Sequence, residues 1–275
     1  MSKLSTYVES QKCSEGANSA MQITILGKSP SWQDEDGTCS GYLVESGPTK
    51  LLVDCGSGVF AKLRALRDYG EIDAIVLSHF HADHCLDLIP YAYALVYSSR
   101  WSQQAAPRPR LIVPSGGTEL LRQLAGLFGP DDLVSKAFEI SEYEPEDVVT
   151  VGPLSLSFCL VPHYVPTFAI SITDEGSSGR FTFGADCAPN EQLPEFARGS
   201  DLLLIEATLR VPEDDEPRGH LTATEAGEHG RAAQAARLVI THISDEIDQQ
   251  QSVAEASAAF GGEVILACEG AVFEC

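Results

Sequence analysis

The chain has 275 residues, of which 44% are apolar and 21% charged, enough apolar material for a buried core and too much for a disordered chain. Forty acidic residues against eighteen lysines and arginines give a net charge of −22, a surface that repels nucleic-acid backbones and anionic membranes. Without an apolar run of about 18 residues no membrane-spanning helix is expected, and without an apolar segment in the first twenty residues no secretory signal is expected either.

In chain order, residues 1–20 read as a flexible leader and 21–275 as a single domain. Short apolar runs predict strands over 22–26, 42–45, 50–54, 74–77, 110–113, 154–161, 168–173, 180–183, 202–205, 238–241 and 264–267. Longer stretches predict helices over 59–69, 118–127, 222–236 and 247–260. The first half is rich in hairpins and the second in strand–helix–strand units, a mixture that packs most economically as sheets with helices outside. The acidic loop 211–219, with Pro212 and Pro217, reads as a surface loop near a site. Eight cysteines lie scattered through apolar segments without a C-x-x-C pair, which predicts packed free thiols, no disulfides and a reducing, cytoplasmic compartment.

The densest chemistry lies at 79–84, where a buried strand runs into His79, Phe80, His81, Ala82, Asp83 and His84. In extended geometry His79 and His81 project to one side and can hold one ion, while Asp83 and His84 point elsewhere and can hold another. Imidazole with carboxylate suits zinc and also accommodates manganese or iron. Reading Asp83 as the N-cap of a helix that begins near Cys85 accounts for one residue and leaves three imidazoles crowded at a strand end. His163, Asp186 and His242 each follow a predicted strand, where α/β sheets place their sites. His220 precedes a predicted helix, and His229 within that helix reads as a surface residue. Cys85 and Cys187 adjoin these positions and read as packed thiols; Asp54 and Ser57 are candidates to support the site from behind.

The H-x-H-x-D-H motif at 79–84, followed in order by His163, an Asp in G-A-D (Asp186) and His242, resembles the metallo-β-lactamase superfamily. The resemblance implies a four-layer αββα sandwich with two metal ions at one edge. His79, His81 and His163 would hold the first ion, Asp83, His84 and His242 the second, and Asp186 would bridge them. The segments L-L-L-I-E-A-T-L-R at 202–210 and G-H-L-T-A-T-E-A-G at 219–227 narrow the resemblance to the ribonuclease Z-like branch. The branch implies a homodimer and a catalytic pair, here Glu206 and His220. S-H-x-H-A-D-H-C-L-D-L resembles its actinobacterial cyclic-nucleotide phosphodiesterases. Only 22 residues separate His163 from Asp186, too few for the basic arm of the tRNA-cutting members, and 31–36 is acidic where they carry a basic loop.

The expectation is therefore a dinuclear hydrolase acting on a small phosphodiester such as a cyclic nucleotide, with no membrane or nucleic-acid partner. Two ions about 3.5–4 Å apart would acidify a shared water, Asp83 would orient it and accept its proton, and His220, held by Glu206, would protonate the leaving group. The alternatives on the same residues are a ribonuclease Z-type tRNA 3′-processing endonuclease and an arylsulfatase-like ester hydrolase.

Overall fold

A computed structural model describes residues 20–101, 105–213 and 217–275. The expected leader at 1–20 therefore lies, apart from Ala20, outside the described residues.

Two seven-stranded sheets face each other. The first runs β14 (Val272–Glu274), β1 (Gln22–Gly27), β2 (Gly41–Ser46), β3 (Thr49–Val53), β4 (Ala74–Val76), β5 (Arg110–Pro114) and β6 (Glu139–Tyr143). The second runs β13 (Val264–Leu266), β12 (Leu238–Thr241), β11 (Leu202–Glu206), β10 (Arg180–Phe183), β9 (Thr167–Asp174), β8 (Leu154–Val161) and β7 (Val148–Val151). In each sheet an antiparallel meander gives way to parallel strands, β3 through β6 in one and β10 through β13 in the other.

Side-chain alternation along the strands separates three apolar clusters. Leu51 and Val53 of β3, Ala74 and Val76 of β4, and Leu202 and Leu204 of β11 fill the space between the sheets. Leu52 and Ile75 face outward onto α1 (Val59–Leu66) and onto α3 (Leu88–Tyr97), which follows the short α2 (Ala82–Cys85). Leu203, Ile205 and Ile240 face outward onto α7 (Ala223–Ala232) and α8 (Gln249–Phe260), which come after α4 (Gly117–Phe128), α5 (Leu133–Ala137) and α6 (Gln192–Phe196). A strand buried on both faces reads as a continuous apolar run, and its period of two assigns each residue to one core or the other. The result is the four-layer αββα sandwich. Between the sheets Tyr143 stacks on Phe158 at 3.7 Å between ring centroids. Such a pair contributes about 1 kcal/mol beyond area burial.

Several expectations change. The helix expected over 59–69 ends at Leu66, and Tyr69–Glu71 forms a separate 3₁₀ turn whose cap, Asp68, accepts from Gly70 N. The helix expected over 222–236 starts after Thr222, whose hydroxyl and Glu225 form a reciprocal capping box, and ends at Ala232. Helix α3 was not foreseen: it is apolar nearly all round and carries Pro90 in its first turn, so it shows no amphipathic period. The edge strands β6, β7 and β14 were also not foreseen, being short and largely exposed. No helix among the described residues is long and apolar enough to cross a membrane. The described cysteines are all free, and Cys39, Cys55, Cys85 and Cys187 are buried.

Candidate metal centre

The parallel strands of both sheets end at one edge, and there the predicted residues converge. From the first sheet, β4 leads into His79 and His81 and then α2, which carries Asp83 and His84. From the second, His163 follows β8, Asp186 follows β10, Glu206 ends β11 and His242 follows β12. The sheets are joined at this edge: Phe168 N donates to Ser78 O at 3.1 Å, and the Tyr42 hydroxyl lies 3.1 Å from Thr241 Oγ1.

The backbone is strained at the same edge. Asp54, Ala185 and His242 all adopt positive φ, at 58°, 54° and 57°, each at a cost of about 1–2 kcal/mol for a residue with a side chain. Each lies just past a strand end, and these turns carry Asp54, Asp186 and His242 to the site. Asp83 is not a helix cap, as the competing reading had it. His81 stands at the N-cap of α2, and Asp83 lies inside the helix with its side chain toward His242. Close approach matters at Gly56, where a Cβ would come within 1.8 Å of Asp83 O, so this turn can seat α2 only if no side chain intervenes.

The seven residues form two clusters that share Asp186. In one, His79, His81, His163 and Asp186 offer ligand atoms within 4.8 Å of one another, and in the other Asp83, His84, Asp186 and His242 do the same. Asp186 Oδ2 lies 3.9 Å from His79 Nε2 and 4.0 Å from His163 Nε2 on one side, and 3.3 Å from His84 Nε2 and 3.4 Å from His242 Nε2 on the other. His81 Nδ1 faces His163 Nε2 at 3.1 Å, and Asp83 Oδ2 faces His242 Nε2 at 3.1 Å.

Four of these imidazoles are held from behind by their other nitrogen, the arrangement that fixes ring orientation in metal sites. His79 Nδ1–H donates to Ser78 Oγ at 3.0 Å, His84 Nδ1–H to Asp54 Oδ2 at 2.7 Å, His163 Nδ1–H to Gly219 O at 2.8 Å, and His242 Nδ1–H to Thr208 Oγ1 at 2.8 Å. Ser78 in turn donates to Asp54 Oδ2 at 2.7 Å. His79 Nε2 and His84 Nε2 point into the site, fully buried, with no hydrogen-bond partner among the described residues. Buried nitrogens are not normally left unsatisfied, and here they lie among oxygens and nitrogens that cations would join. Burial holds His79, His81 and His163 below the ordinary imidazole value, which keeps them neutral with a free lone pair. Burial opposes ionisation of Asp83 and Asp186, but the neighbouring His242 and His84 hold both carboxyls well below their usual range. The donor set thus fits two divalent cations.

Beside the clusters, His220 Nδ1–H donates to Glu206 Oε1 at 2.9 Å, and its ring stacks on His242 with 5.6 Å between centroids. Glu206 is buried rather than exposed in a loop. Tyr164 packs over Gly219, where a Cβ would meet its ring at 2.3 Å, and its hydroxyl donates to Glu213 at 3.3 Å, so Glu213 and Gly219 of the acidic loop lie near the site. His229 is not a surface residue: it is buried in α7, where its Nδ1–H donates to Glu225 O and its Nε2 accepts from Asn190 N. Among the described residues the hydrogen bond Ser57 makes is through its backbone carbonyl, to Cys39 N. Ser78, Thr208 and Tyr164 had no assigned role from sequence. Ser78 adjoins His79 and Thr208 completes the E-A-T segment, and adjacency was the only signal either gave.

A four-layer αββα sandwich with paired His/Asp clusters at the shared sheet edge defines a hydrolase of the metallo-β-lactamase fold. Residues 49–243 match the β-lactamase superfamily domain, and the chain belongs to that superfamily. It is 29% identical over 262 residues to the probable metallo-hydrolase YhfI of Bacillus subtilis, covering 92% of this chain and 100% of that protein. It is 26% identical to the ribonuclease Z of a Bradyrhizobium strain, covering 87% and 95% of the two chains. The crystal structure of YhfI superposes with a TM-score of 0.81 at 28% identity over 94% of this chain and all of that one.

Proposed function

We propose that the protein is a dinuclear phosphodiesterase acting on a small substrate, a cyclic nucleotide such as cyclic AMP first among them. The observation that carries the proposal is the pair of His/Asp clusters meeting at Asp186 Oδ2 with the His220–Glu206 pair beside them. His79, His81 and His163 would hold one ion and Asp83, His84 and His242 the other, with Asp186 between them. Zinc suits this set best. When bound, the ions supply an acidified water and polarise a phosphoryl oxygen. Asp83, ionised beforehand, would orient the attacking water and take up its proton as the new bond to phosphorus forms. His220, with Nδ1 committed to Glu206, delivers a proton from Nε2 to the leaving oxygen.

A small substrate is favoured over an RNA chain by charge and by topology. Residues 164–185 are taken up by β9, β10 and their turns, and the loops 31–36 and 211–219 are acidic. The test is hydrolysis of 3′,5′-cyclic AMP, an aryl sulfate and a tRNA precursor by the zinc-loaded protein, with an RNA gel-shift across a salt series. The expected result is nucleoside monophosphate release without salt-sensitive RNA binding. Precursor cleavage with RNA affinity falling steeply in salt would favour the endonuclease instead.

Proton donation has its own signature. Burial alone would lower His220, but the Glu206 carboxylate lifts it to about 9, with Asp186 and Glu213 adding to the effect. A donor acts in its protonated form, so activity persists below this pH and is lost as pH rises through it. Glu206→Gln removes the charge that opposes burial, and the alkaline limb of the kcat profile is expected to move acid-ward, toward or below the ordinary imidazole value of about 6.5. Bound cations lower the limb in both proteins alike, so the difference between them reads the role. An alkaline limb that stays in place would remove His220 from the mechanism.

A further inference from the structure

Thr208 stands between the His220–Glu206 pair and the cluster of Asp83, His84 and His242. Glu206 Oε1 accepts from His220 Nδ1–H and from Cys187 N–H, both at 2.9 Å; Glu206 Oε2 accepts from the Thr208 hydroxyl at 2.6 Å and from Thr208 N–H at 3.3 Å. The Thr208 hydroxyl has a single hydrogen and two acceptors within reach, Glu206 Oε2 at 2.6 Å and His242 O at 3.0 Å. The shorter, charged acceptor takes it. The lone pairs of Thr208 Oγ1 are then free to accept from His242 Nδ1–H at 2.8 Å. This leaves the lone pair of His242 on Nε2, the atom that faces Asp83 Oδ2 and Asp186 Oδ2. His242 itself sits at a strained φ of 57°.

We infer that Thr208 is a positioning residue for the second ion. Its hydroxyl sets the tautomer and rotation of His242 and ties that ligand to the buried carboxylate that also holds His220. The inference rests on the dinuclear reading and extends it: the E-A-T segment supplies both the partner of the proton donor and the support of a metal ligand. The first cluster is spared, because His79 and His163 are held instead by Ser78 and the Gly219 carbonyl.

The test is a zinc titration of the metal-free full chain against a chromophoric chelator, for the wild type, Thr208→Val and Thr208→Ser. Valine keeps the methyl and the volume but puts a second methyl in place of the hydroxyl; serine keeps the hydroxyl and loses the methyl. Thr208→Val is expected to weaken the second zinc by about 10-fold to 100-fold, the usual effect of losing such a support, and to leave the first unchanged. Thr208→Ser is expected to bind both ions as the wild type does. Wild-type affinity for both ions in Thr208→Val would overturn the inference, and so would equal weakening of both ions or a serine variant as weak as the valine one. A wild-type chain that binds fewer than two zinc ions would instead bring down the dinuclear reading beneath it, and the wild-type titration alone reveals that.

Discussion

Replacing His220 with alanine is expected to lower kcat on a cyclic nucleotide by about 10²–10⁴-fold, the usual contribution of a positioned acid, while leaving two ions bound. His220 belongs to neither of the clusters that meet at Asp186. Its ring stands beside those of His163 and His242, 5.0 and 5.6 Å away between centroids, and its Nδ1 is fixed on Glu206. Removing it therefore takes away a proton source without removing a donor from either cluster. The leaving group decides the size of the effect. A ribose alkoxide is a poor leaving group and needs its proton, whereas p-nitrophenolate is a stable anion that departs without one. Loss should accordingly be large on cyclic AMP and small on bis-p-nitrophenyl phosphate, measured as kcat on both substrates alongside metal analysis of the same preparation. Loss of metal in the variant would reassign His220 as a ligand, since Glu206, His220 and His242 also lie close enough together to hold an ion. Equal losses on both substrates with full metal content would point to a role other than proton donation.

Much of the site was legible because its chemistry is either concentrated or ordered. Three imidazoles and a carboxylate within residues 79–84 have few structural explanations, and strand ends before His163, Asp186 and His242 supplied the rest. The supports behind the ligands were not legible. Gly219 offers only a backbone carbonyl, which any residue has, and it meets a histidine 56 positions away. Thr208 meets His242 across 34 positions, and a threonine carries no mark of its partner. His229 was misread because a helix pattern does not reveal what packs on it, here Asn190 from the loop before α6. The same division holds for the fold. The period of two along β8, whose Leu154, Leu156 and Phe158 all enter the central core, was plain. Helix α3 was hidden because burial on most sides erases the contrast between faces on which such patterns depend.

Asp186→Ala is expected to cost the protein at least one of its two ions, with activity falling alongside. Among the described residues no other side chain contributes to both clusters, and a single atom, Oδ2, lies within 4.0 Å of four imidazole nitrogens. Without it each cluster keeps three donors, but the negative charge between the two cations is gone. Two dications a few ångströms apart repel strongly in a water-excluded site, and an intervening carboxylate is what makes simultaneous occupancy favourable. Asp186→Asn separates charge from geometry, since it retains an oxygen donor and removes the charge. If charge is the main contribution, asparagine should lose nearly as much metal as alanine; if the oxygen alone matters, it should bind nearly as the wild type does. Metal content per chain after dialysis reads both variants directly, and full occupancy of both positions in Asp186→Ala would contradict the bridging role. The turn before it bears on the same point: Ala185 is held at a φ of 54° with its side chain fully buried, so the backbone is strained to bring the carboxylate between the sheets.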